Sequence, residues 1–151
     1  MSTNNTIWNW YRFDQLSNEQ LYQMLALRTQ VFVVEQDCPY QDMDDLDQQA
    51  GHLCGVLGNE LVAYLRLLGP GVKYSEPAIG RVITRLEQRG GGLGRELMER
   101  GMEGARARYP GTGMRLSAQS HLREFYCSLG FQPTGVEYLE DNIPHIEMFI
   151  T

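Results

Sequence analysis

The sequence predicts an α/β (α+β) chain built on one mixed sheet with helices on both faces. Three observations carry this reading: apolar runs of strand length alternate with stretches of helical period, two strand pairs are joined by turns too short for a crossover, and the other connections contain helices. At 151 residues the chain suits a single domain over 1–151, and 42% hydrophobic with 21% charged residues is a globular composition.

The elements follow in order. "TIWNWYRF" is rich in aromatic and β-branched residues and reads as a first strand, followed by a turn at "DQ". Ser17 and Gln20 form a capping-box pattern, and Leu21, Met24, Leu25, Arg28, Val31 and Phe32 recur at helical spacing, which predicts an amphipathic helix of roughly 15 residues that cannot pass Pro39. "GHLCGVL" and "LVAYLRLL" flank "GNE" as a hairpin, and "PAIGRVIT" is a further short strand. From Leu93, the residues Leu97, Met98, Met102 and Ala105 mark one face of a second helix, although Gly101 and Gly104 weaken it by about 1 kcal/mol each. "MRLSA" is a strand, "HLREFYCSL" a helix stopped at Gly130, and "FQPTGVEYL" and "PHIEMFI" are strands around the turn "EDN".

Composition narrows the function. The net charge of −6 offers no basic stripe for nucleic acid and suits an amine-bearing partner instead. The N-terminus lacks the basic start and apolar run of a leader, and no window approaches a membrane span, so the expected location is cytoplasmic. Cys38, Cys54 and Cys127 are odd in number and widely spaced, which points to reduced thiols and no zinc site. No metal is expected at "DMDDLD" either, because the calcium-loop pattern fails at Leu46 and lacks its glycine. That acidic run reads as a solvated surface or as a negative rim that attracts a cationic acceptor.

The most informative stretch is "RGGGLGR", Arg89 to Arg95, between an extended run and a helix. A glycine turn into a helix N-terminus gathers free amides and the positive end of the helix dipole at one point, which binds phosphate. The P-loop pattern is absent, and the dinucleotide fingerprint fails at Arg95. Reading Arg89-Gly90-Gly91-Gly92-Leu93-Gly94 as R-x-x-G-x-G, the loop resembles the pyrophosphate loop of the GNAT superfamily of CoA-dependent N-acyltransferases. "LSAQSHLREFYCSLGF" resembles that superfamily's second element, and with "LRTQVFVVEQDCPYQDMDDLD", "GRVI" and "EDNIPHIEMF" nearly the whole chain is similar to its ElaA family.

The resemblance implies a GNAT fold, a mixed central sheet of about six to seven strands flanked by about four helices. It implies acetyl-CoA as co-substrate, with backbone groups of Val82, Ile83 and Thr84 pairing with the pantetheine arm and supplying oxyanion donors. Residues Gly90, Gly91, Gly92, Leu93, Gly94 and Arg95 would surround the pyrophosphate, Arg89 and Arg95 adding charge, and Gln119 would touch the arm. Tyr126 occupies the position of the acid that serves the departing thiolate. The glutamate that many relatives carry on the strand before the loop has no counterpart in "AIGRVIT".

An alkylamine is almost wholly protonated at pH 7, so a base must take its proton before attack. Glu35, His145, Asp42, Asp44 and Asp45 are the candidates, and imidazole titrates nearest neutral pH. His52 reads as structural and His121 as a helix start, whereas Arg28 and Arg66 suit core-edge packing or acceptor contacts. The implied reaction is acetyl transfer to a primary amine of a small molecule or peptide. Two alternatives stand beside it: an acyl-homoserine-lactone-synthase-like acyltransferase, suggested by "LRTQVF" and "YLRLLGP", and a non-catalytic CoA-binding module. GNAT relatives often pair, which makes a homodimer an expectation.

Overall fold

The computed structural model describes residues 5–151; residues 1–4, the start of the stretch read above as lacking a leader, lie outside the described residues. Seven strands form one sheet: β1 Ile7–Arg12, β2 Gly51–Leu57, β3 Glu60–Leu68, β4 Ala78–Thr84, β5 Met114–Gln119, β6 Gln132–Glu140 and β7 Ile143–Ile150. Their order across the sheet is β1-β2-β3-β4-β5-β7-β6. Every neighbouring pair is antiparallel except β4 with β5.

The expected strands all form, because each alternates between two covered faces or lies in a hairpin. On β3, Val62, Leu65 and Leu67 enter one core while Leu61 and Tyr64 enter the other. The β6–β7 turn is tight because Asp141 and Asn142 both take positive φ, 51° and 64°, the geometry of a two-residue hairpin loop.

Among the described residues three α-helices cover the sheet, α1 Asn18–Thr29, α2 Leu93–Arg108 and α3 Arg123–Ser128, where the resemblance implied about four. The stretch with room for another, residues 36–50, runs as loop with one short 3-10 turn at Asp47–Gln49. Pro39 has no amide to give, and the aspartates there bond arginines instead of capping a helix.

The α1 capping box is formed: Ser17 Oγ accepts from the Gln20 amide at 3.1 Å, and Gln20 Oε1 accepts from the Ser17 amide at 2.8 Å. Beyond α1 the chain coils on through a wider π turn, Gln30–Glu35. Met24, Leu27 and Val31 pack on Cys54, Tyr64 and Ile83 on one face, while Leu97, Met98, Met102 and Ala105 of α2 pack on Leu53, Val62, Leu65 and Leu67 on the other. Each large apolar side chain so buried contributes about 1.5–3 kcal/mol.

The two glycines that weaken α2 let it lie close to the sheet. A Cβ on Gly101 would sit 2.5 Å from Leu65 Cδ2, and one on Gly104 2.5 Å from Trp10 Cζ2. The Trp10 indole is rigid and has the Arg108 guanidinium over it at 5.2 Å. Gly104→Ala is therefore expected to lower stability by about 1–2 kcal/mol in chemical denaturation, overpacking outweighing the propensity gain of alanine. A gain in stability would mean that the indole moves aside freely.

Candidate active site

Strands β4 and β5 pair at a single position, Ala78 with Arg115, and then part. The Arg115 amide donates to Pro77 O at 2.9 Å just before the split. A cavity of about 590 Å³ opens between the two strands. Its walls include β4 from Ile79 to Thr84 and β5 from Leu116 to Gln119, and it reaches Glu35, Tyr126 and His145.

A bulge follows on β4 once the strands have parted. Tyr64 pairs with Ile83 and Arg66 with Gly80, so β4 carries one extra residue here, and Arg81 takes φ 51°. A left-handed backbone at a residue with a Cβ costs about 1–3 kcal/mol, which its surroundings must offset.

The glycine loop lies at the mouth of the split. Gly90 and Gly92 adopt φ 91° and 85°, which glycine accepts freely, and Gly92 caps α2. Among the described residues, no backbone carbonyl accepts from the amides of Gly90 to Arg95. A Cβ built on Gly90, Gly91 or Gly92 would meet nothing within 4 Å. Free amides, a helix N-terminus and open space fit a pyrophosphate.

Val82, Ile83, Thr84, Arg89, Gly90, Gly92, Leu93, Gly94, Gln119, Tyr126, His145 and Glu35 all line this cavity, so spacing that is remote in sequence converges in space. Two expected members do not line it. Gly91 is exposed on the outer side of the turn. Arg95 is turned to α3, where it donates to Ser128 Oγ at 2.9 Å, because the helix rotates its position away from the split. Arg89 does line the cavity, but its guanidinium already binds Thr84 O at 2.8 Å and Glu35 at 2.9 Å, tying the loop to β4 and to the π turn.

Tyr126 is 6% exposed and sits edge-on to Phe125 and Phe131. Burial pushes its phenol up to about 12, with no hydrogen bond among the described residues to offset it. His145 is the cross-strand partner of Gln119 and stacks on Tyr138 at 5.9 Å. Its Nδ1 lies 2.7 Å from Ile143 O, which can only accept, so Nδ1 is the donor and Nε2 is the nitrogen left to exchange a proton.

Four residues missed in the sequence join this neighbourhood. Ser117 and Phe125 line the wall, Ser117 Oγ is hydrogen-bonded to Tyr138 Oη, and Glu140 Oε2 lies 3.6 Å from His145 Nε2. Alternation on β5 could have offered Ser117, and the β6–β7 hairpin pairs Tyr138 with His145, but nothing local announces that β7 lies beside β5 and so brings that pair to Ser117 and Gln119.

The acidic run is not a free negative rim: Asp42 and Asp47 are buried, and Asp44, though exposed, is paired. Asp42, Asp44 and Asp47 close on three arginines: Arg28 Nε to Asp42 at 2.6 Å, Arg28 Nη1 to Asp47 at 2.7 Å, Arg66 to Asp44 at 2.8 Å, and Arg81 to Asp42 at 2.8 Å. Arg28 is wholly buried and Arg66 nearly so, which makes both network members and removes Asp42 and Asp44 as free bases. Asp45 remains exposed at φ 64°, outside both the network and the cavity wall. His52 is structural as expected: Nε2 donates to Asp47 O at 2.9 Å, Nδ1 accepts from Tyr64 at 2.6 Å, and burial lowers its pKa. Among the described residues no cluster of His, Cys, Asp and Glu is arranged to hold a metal, and no helix is long and apolar enough to cross a membrane.

A sheet split after one pair and a glycine turn with free amides at its mouth fit an acyltransferase of the GNAT type. The profile of the acetyltransferase (GNAT) domain family matches residues 11–151, and the chain belongs to that family. It is similar to protein ElaA of Escherichia coli, 44% identical over 143 residues, 93% of this chain and 94% of ElaA. The crystal structure of that ElaA superposes with a TM-score of 0.91 at 41% identity, covering 97% of this chain and 99% of the other. An acyl-CoA N-acyltransferase from Pseudomonas aeruginosa superposes with a TM-score of 0.93 at 43% identity, covering 97% and 100%. A CoA-dependent acyl-homoserine lactone synthase shares only the fold, at 18% identity and a TM-score of 0.78 over 97% and 83% of the chains.

Proposed function

We propose that this chain transfers an acyl group, acetyl first of all, from its CoA thioester to a primary amine of a small molecule or peptide by direct attack. The observation that carries the reading is the β4–β5 split ending at the unbonded amides of Gly90 to Arg95. Acetyl-CoA supplies the activated acyl group; the chain supplies a grip, fixed dipoles and proton transfer. The proposal includes one domain over residues 1–151 and a cytoplasmic location.

The amides of the β4 bulge face a thioester carbonyl and stabilise charge on its oxygen as the amine adds. His145 Nε2 accepts the amine proton, the geometry favouring it over Glu35, whose carboxylate is already paired with Arg89. Tyr126 donates to the departing thiolate. Its phenol, pushed up to about 12 by burial, is a weak acid, but loss of water destabilises the thiolate in the same pocket too, and donor and acceptor are held together.

The test is release of free CoA thiol on adding a panel of primary amines. Wild type should release thiol in an amine-dependent manner, and Tyr126→Phe should lower kcat about 100-fold with KM for acetyl-CoA little changed. Because Tyr126 keeps its proton until about pH 12, the rate should show no alkaline decline from it below about pH 11. Acetyl-CoA binding without amine-dependent thiol release would instead favour a non-catalytic CoA-binding module.

A further inference from the structure

We propose that Asp42 and Asp44 act through Arg81 as positioning residues that hold the β4 bulge in the conformation aiming its amides into the split. This rests on the acyl-transfer reading and adds to it the device that sets the geometry of the thioester site.

Arg81 stands in the extra-residue position of β4 with φ 51°, where glycine would sit without strain. An arginine keeps that backbone only if its side chain is anchored. The anchor has three strands: Nε donates to Asp42 Oδ1 at 2.8 Å, Nη2 to the Asp42 carbonyl at 2.9 Å, and Nη2 to Asp44 Oδ2 at 3.3 Å.

The aspartates are themselves fixed from behind. Asp42 is 6% exposed and accepts from Arg28 of α1 at 2.6 Å, while Asp44 accepts from both Nη1 and Nη2 of Arg66 on β3 at 2.8 Å. The Arg66 fork on Asp44 and the Arg28 bonds to Asp42 and Asp47 make the loop a rigid bracket between α1, β3 and the bulge. Gly80, Arg81, Val82 and Ile83 all line the cavity, so any rotation at Arg81 re-aims the amides beside it. The acidic run thus serves the site without touching a substrate.

The probe is acetyl-CoA carrying ¹³C in its thioester carbonyl, bound at saturation and read by isotope-edited infrared spectroscopy, with calorimetry of unacylated CoA alongside. Arg81→Gly leaves the left-handed backbone accessible and cuts the anchor. Its bound carbonyl band is expected to move to higher frequency and broaden, as hydrogen bonding from the bulge is lost, while CoA affinity stays within about threefold. Arg81→Lys keeps a charge but not the fork and should fall between the two.

A band that stays at the wild-type position in either folded variant overturns the proposal. So does loss of CoA affinity in step with the band, since that marks collapse of the whole cleft. Failure of the wild type to bind acetyl-CoA overturns the acyl-transfer reading itself and is recognised before any variant is made.

Discussion

Gly92→Glu should weaken acetyl-CoA binding on the order of 100-fold or more in calorimetry, because a like charge set against an anion costs several kcal/mol. Gly92 caps a 16-residue helix at φ 85°, beside amides that no backbone carbonyl occupies. A glutamate there places its own carboxylate at the positive end of that helix and presents negative charge to the pyrophosphate. Gly92→Ala separates charge from backbone strain: a left-handed alanine costs about 1–2 kcal/mol of folding stability but adds no charge and meets no atom within 4 Å. Equal losses in the two variants would show that loop conformation, and not anion repulsion, governs binding. Full affinity in Gly92→Glu would remove the loop from the donor site.

Arg28→Met is expected to lower folding stability by about 3–5 kcal/mol, the usual result of removing one partner from a buried ionic network. For a chain of this size that is a fall in Tm of about 6–20 °C. Arg28 is wholly buried between Asp42 and Asp47, so its loss leaves two carboxylates short of a donor, with Arg66 and Arg81 able to satisfy them only in part. A loss under about 1 kcal/mol would mean that the remaining arginines re-close the network.

The same network sets an acid limit on stability. Burial pushes Asp44 up, but its hydrogen bonds and charge pairing with Arg66 more than offset this and hold it at about 2; Asp47 is lowered in the same way by Arg28 and Arg66. The ordinary value for an aspartate in an unfolded chain is about 3.9, so the folded form binds protons less readily. The stability so contributed is fully present above about pH 4 and is lost as pH falls through about 2. Urea midpoints measured from pH 5 to pH 2 should fall over that window, and should fall less steeply in Asp44→Asn.

Strands, helices and the glycine turn were legible because their signals are local. Period-2 and period-3.6 patterning, the Ser17–Gln20 box and the Asp141-Asn142 turn each specify a few adjacent dihedrals, and the structure realises them. The free amides of the glycine turn were legible for the same reason, since they need only glycine and the helix start itself. The π turn at Gln30–Glu35 was not, because its residues keep helical spacing and the wider coil accompanies their packing beneath the sheet.

What the sequence alone determined is therefore the set of elements, the glycine turn at the start of α2 and the membership of the family. Only tertiary structure decided what the charges do. Nothing in "DMDDLD" distinguishes a hydrated rim from a buried bracket until α1, β3 and β4 bring Arg28, Arg66 and Arg81 to it from 14 to 39 residues away. The same holds for Tyr126 and His145, whose places on the cavity wall depend on β5 leaving β4 and on β7 entering between β5 and β6. An ion pair or a shared pocket is a relation between distant residues. It exists only when closing the loops between them is offset by burying the sheet's two faces, and no local pattern encodes that balance.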